Sequence, residues 1–509
     1  MAMATAPSTA QGHAFGQRYD LPLPFWLYIA GAGAAVFLSF VVMVLCLGKH
    51  SAAKTYPRID LLRVPIVRLL AQPPVMFCFQ LTSVLLFLLI LTTGFFGSES
   101  PFKNPAPILV WVIWWVGGAY LTAMIGNFWA LMNPWKIVFG WVERLYCGLT
   151  EKSTFSPNLP YPSDLGVWPG VILFLLFVWM ELVWSGSDHP RSLVIAILAY
   201  TVLTWLGMYL FGRDDWLAHG EAFSIVFGLL ARFAPTEIRV NDPRVCERCP
   251  ESMHEGTGCV NCYSGFGRAA IENRQWNLRP YAVGLLTSKT THTSLMVLTI
   301  VMLSTVTFDG FAETPLWSRI VALLLTEPLT QSLLASFQAS GADLESVIKS
   351  TGLLTFPILF VLIYLVFSWL MSIAASRQST TLETARLFVF TLIPIALAYH
   401  LAHYLSYLLI AGQLVIPLAS DPFGIGWNLF GTVNYRLRLE VVNARMVWYT
   451  AVTVIVVGHI IAVFLAHVTA LRHYQDTLMA LRSQIPMLAL MVGYTMISLW
   501  ILAQPIVEL

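Results

Sequence analysis

Ten apolar runs, each about as long as the roughly 20 residues a helix needs to cross a hydrocarbon layer, dominate this chain. They fall near 25–47, 73–96, 107–132, 167–185, 192–212, 293–308, 351–375, 387–411, 447–470 and 485–504. Only 11% of the 509 residues are charged and 57% are hydrophobic, whereas an average soluble domain is roughly a quarter charged. The reading is an all-α, polytopic transmembrane helix bundle of about ten spans, with the lipid bilayer as its main partner. The 18 Trp and 18 Tyr suit the aromatic belts at headgroup level. A net charge of +2 gives no reason to expect a nucleic-acid partner.

Basic residues set the orientation. Lys49, Lys54, Arg58, Arg63 and Arg68 follow the first run, and Arg213, Arg232, Arg239, Arg244, Arg248 and Arg268 follow the fifth, so these loops are expected on the cytoplasmic side. Alternation then puts both termini outside, although Arg436, Arg438 and Arg445 in one outer loop run against the rule. The expected organisation is an exposed tail (1–24), spans one to five (25–212), a cytoplasmic loop (213–290) and spans six to ten (291–509). The tail lacks a basic n-region, so no cleaved signal peptide is expected. Residues 316–340 are apolar between Pro315 and Gly341, and read as an extra span or an interfacial helix.

The sharpest local pattern is "CERCPESMHEGTGCVNC", with Cys246, Cys249, Cys259 and Cys262 in two Cys-x2-Cys knuckles. Such knuckles converge four thiolates on one metal, and Gly256 and Gly258 permit the tight turns. A closed four-thiolate set in a reducing compartment favours structural zinc, with a rubredoxin-like iron as the alternative. The expected role is to staple a zinc-ribbon-like module inside the cytoplasmic loop.

Inside the eighth run stands "YHLAHY", where His400, His403, Tyr404 and Tyr407 share one helical stripe. His459 lies at similar depth in the ninth run, and His467 lies two turns deeper. Glu181, Asp309, Glu313 and Asp421 fall toward the same outer half. Ionisable groups in a membrane are costly and mark ion paths, proton relays or catalysis, so His400, His403 and His459 are candidate ligands of a divalent metal. Polar packing between helices is the bland competitor. A second constellation, Asp215, His219 and Glu221, reads as the charged face of an interfacial helix.

The stretches "HGEAFSIVFGLLARFAP", "TFDGFAETPLW", "HLAHYLSYLLIAGQLVIPLASDPFGIGWNLFGT" and "WYTAVTVIVVGHIIAVFLAHVTALR" resemble the bacterial membrane fenitrothion hydrolases. That resemblance implies a multi-pass protein of the bacterial inner membrane that hydrolyses a small lipophilic organophosphorus triester to a nitrophenol and a dialkyl thiophosphate. On that expectation a metal held by His400, His403 and His459 activates water, Asp309 or Glu181 takes its proton, and Tyr404 orients the ester. Two rival classes stay open: a b-type haem or iron redox protein using His400 and His459, and a transporter of a metal ion or small solute.

Overall fold

The computed structural model describes residues 20–48, 56–150, 152, 154–247, 254–255, 258–286 and 290–504, and ten of its helices are long and apolar enough to cross a membrane. They are Phe25–Cys46, Pro73–Phe96, Pro105–Met124, Ser163–Leu182, Pro190–Phe211, Thr293–Ala312, Leu344–Ala374, Thr381–Ser420, Ala444–His473 and Thr477–Ala503, here the first to tenth spans. The multi-pass helical bundle read from hydropathy is therefore the observed architecture. Several boundaries move outward because a capping turn is polar and escapes a hydropathy pattern. Asp343 takes the Ser346 N–H, Asn443 takes that of Met446, and Asp476 takes those of Leu478 and Met479. Residues 315–339 form two helices, Pro315–Thr326 and Pro328–Ala339, bent by 84°. Pro328 at the break has no N–H with which to continue the first helix.

Three spans deserve description for their irregular backbone. The third contains a π-helix over Ile108–Gly117, a form that is rare and concentrated at functional sites. It stops at Met124, short of the apolar run, because Gly126 adopts φ +152° and any Cβ there would strike the Thr236 hydroxyl. The eighth narrows to a 3-10 turn at Val389–Leu392, just ahead of Pro394. In the ninth, Gly458 lies so close to the eighth that a Cβ would strike Ala398 and come within 2.9 Å of the Pro394 carbonyl oxygen. Small residues at such a crossing let two backbones approach in lipid, where tight packing replaces the hydrophobic drive.

The segment after the fifth span does not remain a loop. Ala222–Ala231 is a ten-residue apolar helix, too short to cross, and eight of its side chains are buried. Glu221, fully buried, caps it by accepting from the N–H groups of Phe223 (3.0 Å) and Ser224 (2.8 Å). Tyr200 (2.6 Å) and Asn133 (3.2 Å) donate to the same carboxylate, so this buried anion is met by four donors.

At the end of the bundle reached after the odd-numbered spans lies an antiparallel sheet of β1 (Ile59–Asp60), β2 (Thr236–Val240), β3 (His254–Glu255), β4 (Gly258–Val260) and β5 (Arg274–Leu278), in the order β1-β5-β2-β4-β3. The loop after the first span thus supplies an edge strand, with Ile59 opposite Leu278, to a sheet built between the fifth and sixth spans. Glu237 on β2 holds the join. Its buried carboxylate meets Arg58 (2.6 Å), Arg239 (2.8 Å) and Arg279 (2.6 Å). Burial alone would raise its pKa, but Arg279, Arg239 and Arg58 together hold it below the ordinary carboxylate value.

Two outcomes are expected. Glu237→Ala lowers stability by about 3 kcal/mol, the low end for breaking a buried ion pair because Arg58 and Arg239 stay partly solvated. Because the folded pKa is depressed, this stability is present above the unfolded value of about 4.3 and is lost as pH falls through the lower folded value, which chemical unfolding in detergent at graded pH would read. Gly458→Ala costs about 1–3 kcal/mol by overpacking the eighth and ninth spans, visible as a lowered thermal midpoint.

Candidate functional site

The 3-10 turn before Pro394 feeds into the regular helix Ile393–Ala411, which turns His403 and Tyr404 toward the sixth span. There Asp309 Oδ2 accepts from the Tyr404 hydroxyl at 2.5 Å and lies 2.8 Å from His403 Nε2. A carboxylate only accepts, so this contact assigns the proton to Nε2 of His403. Elsewhere on the sixth span, Thr299 and Thr305 return their hydroxyls to the carbonyls of Leu295 and Val301, while the Thr307 hydroxyl meets both the Leu303 carbonyl and the Tyr494 hydroxyl. The Asp309 side chain remains 20% exposed, against 5% for His403. One turn on, Glu313 is half-buried at the end of the span. Burial first, and the neighbouring Asp309 charge second, raise its carboxyl above the ordinary value.

His400 sits on the adjoining side of the same helix, packed between Trp115 (5.9 Å), Tyr120 (5.4 Å) and Tyr404 (4.8 Å) by ring centroids. Neither of its ring nitrogens has a hydrogen-bond partner among the described residues. Tyr120 donates to the His400 main-chain carbonyl (3.0 Å) rather than to the ring. His400 and Tyr404 line a cavity of about 40 Å³ together with Glu181, Trp115, Thr305 and Leu230. Three features the sequence did not display build this cavity: the π-segment that carries Trp115, the buried short helix that carries Leu230, and the 3-10 turn beneath His400. Only the two proline-bearing helix starts and the apolar run "AFSIVFGLLA" hinted at them.

The expected site residues therefore divide. Asp309, His403 and Tyr404 form one hydrogen-bonded cluster, and Glu181 and His400 face the cavity beside Tyr404. His459 is held differently, fully buried, with Nδ1 2.8 Å from the Ile455 carbonyl oxygen and its ring 5.8 Å from that of Tyr494. Among the described residues, no three His, Cys, Asp or Glu form a group placed to hold a metal ion. His467 bridges spans, with Nδ1 near Gln484 Oε1 (2.9 Å) and Nε2 near the Leu47 carbonyl (3.2 Å). Asp421 organises its own turn by accepting from Ile425 and Gly426. Asp215 and His219 share one short helix, with His219 Nδ1 3.0 Å from the Asp215 carbonyl oxygen and its ring stacked on Tyr161 at 4.8 Å, whereas Glu221 is the buried cap described above.

Of the cysteine quartet, Cys249 lies outside the described residues. Cys246 ends a helical turn, Cys259 lies on β4 and Cys262 precedes the helix Tyr263–Arg268, and all three share one buried cluster with Val240 and Ala269. The sulfurs of Cys246 and Cys259 approach to 2.6 Å, while Cys262 is disulfide-bonded. One sulfur from each knuckle, Cys246 and Cys259, is thus brought together.

No protein-family model, curated protein or solved structure matches the chain.

If the cysteine module is a zinc site, the protein purified under reducing conditions carries one zinc per chain by elemental analysis, and Cys259→Ser loses it. A metal-free protein in which all four module cysteines react with an alkylating agent would refute this.

Proposed function

We propose that the chain is a membrane-embedded hydrolase of lipophilic organophosphorus triesters, with Asp309, His403 and Tyr404 as its acid–base centre. The observation that supports this reading is one carboxylate oxygen, set within the bundle, shared by a histidine and a tyrosine beside a second histidine whose ring nitrogens have no partner among the described residues. The substrate class comes from the sequence resemblance, and the machinery from the chemistry of these groups. Asp309 fixes the His403 tautomer and balances charge when the imidazole gains a proton. His400, packed on Tyr404 of that centre, takes a proton from water in the cavity and passes it by way of Tyr404 to Asp309, while the resulting hydroxide attacks phosphorus and the bond from phosphorus to the aryl oxygen breaks. The aryl oxide is a good leaving group and the thiophosphate retains the new oxygen. Glu181 on the opposite wall positions the water.

Of the three expected histidine ligands, His400 and His403 lie with Asp309, whereas His459 serves the ninth and tenth spans. The arginine-rich sheet end is assigned to the cytoplasm of a bacterial inner membrane, which places Asp309 toward the outer side.

A second reading is favoured by the cavity itself. Its volume of about 40 Å³ suits water or a single ion, while pockets for drug-sized ligands run to roughly 300–1,000 Å³. A triester therefore enters only as the spans part, and a proton or ion path needs no such opening. The haem alternative gains no support from packing, since the His400 ring lies among Trp115, Tyr120 and Tyr404 and the His459 ring against Tyr494.

Detergent-purified protein is expected to release nitrophenolate from fenitrothion. Asp309→Asn and His403→Ala should each lower kcat by about 10²–10⁴, the usual worth of positioned acid–base groups, and His459→Ala should change it by less than about tenfold. Wild-type protein without turnover, or full activity in Asp309→Asn, would sink the hydrolase assignment and leave flux through reconstituted vesicles as the discriminating measurement.

A further inference from the structure

We infer that Arg232, stacked on Phe390, seals the acid–base centre from the sheet end of the bundle, so that water and protons reach Asp309 from the opposite end only. This rests on the reading of Asp309 and His403 as a proton-handling pair. Two walls of the cavity belong to elements that run on to the sheet end: Val226 and Leu230 of the short buried helix, and Ala396 and Leu397 of the eighth span. Followed toward the sheet, these two walls lead to Arg232 and to Phe390 of the 3-10 turn. There the guanidinium carbon lies 4.8 Å from the ring centroid. Just below, Arg279 donates to the Arg232 carbonyl at 3.2 Å and closes the chain against the start of β2.

Charge makes the contact more than packing. The Arg279 cation is met by Glu237, but Arg232 has no carboxylate within ion-pair distance among the described residues. A fixed positive charge where these two elements meet repels hydronium and metal cations, the device by which selective pores exclude protons. Arg232 also stands at the C-cap of its helix, where a cation is favourable, yet that role requires no aromatic partner from another span. The opposite end has the reverse character, with Asp309 20% exposed and Glu313 half-buried one turn on. Carboxylates at one end and a cation at the other then favour access from the Asp309 end. One-sided access would keep a proton-handling site in the bilayer from short-circuiting the membrane.

The test uses full-length protein in vesicles with a pH-sensitive dye inside and an imposed proton gradient. Wild type should be as tight as protein-free vesicles. Arg232→Ala and Phe390→Ala should each leak at least about tenfold faster, while Arg232→Lys and Phe390→Tyr stay near wild type. Asp309→Asn placed in the Arg232→Ala background should abolish the leak, since the path runs through that carboxylate. The inference fails if wild type leaks, if correctly assembled Arg232→Ala protein is as tight as wild type, or if the leak survives Asp309→Asn. None of these readings needs ester turnover, so loss of the hydrolase assignment and loss of the seal are separable results.

Discussion

Hydrocarbon offers a polar group no partner, and the whole arrangement follows from having to find one inside the chain. Each buried charge has done so in its own way. Glu221 is wrapped by two backbone donors, a tyrosine and an asparagine. Glu237 is wrapped by arginines from three segments. Asp309 differs, because its two closest partners are themselves acid–base groups and its side chain keeps some exposure. The first two carboxylates are held by donors alone, and the third is the one that the proposed function uses to carry a proton.

Backbone irregularity obeys the same constraint. A π-segment, a 3-10 turn and a short buried helix would each be expensive facing lipid, since each leaves main-chain groups that regular helix would satisfy. Here the π-segment and the short buried helix both line one small cavity, inside the bundle rather than against lipid.

The sheet contributes a different kind of order. By drawing its edge strand from the loop after the first span, it ties that loop to the chain between the fifth and sixth spans. Thr236, at the start of β2, donates to the Ile125 carbonyl at the end of the third span (2.5 Å). The cysteine cluster lies on β4 of the same sheet, so a metal bound there would brace the surface on which the short buried helix and Arg232 rest.

Hydropathy by itself determined the number of spans and most of their limits, because a length of apolar side chain is a local property that lipid reads directly. It also brought forward His400, His403, Tyr404, Asp309 and Glu181, since an ionisable residue in an apolar run is conspicuous wherever it points. Direction was not legible. His459, expected at the depth of His403, turns to Ile455 and Tyr494, because the tight crossing at Gly458 fixes which face the ninth span presents. The segment 213–290 looked like one loop because its buried helix is shorter than a span and its sheet completes itself with a strand from far earlier in the chain. Which histidine meets the carboxylate, and which arginine packs on Phe390, was decided only by tertiary packing, where helix rotation and long-range pairing are set by contacts that no local stretch contains.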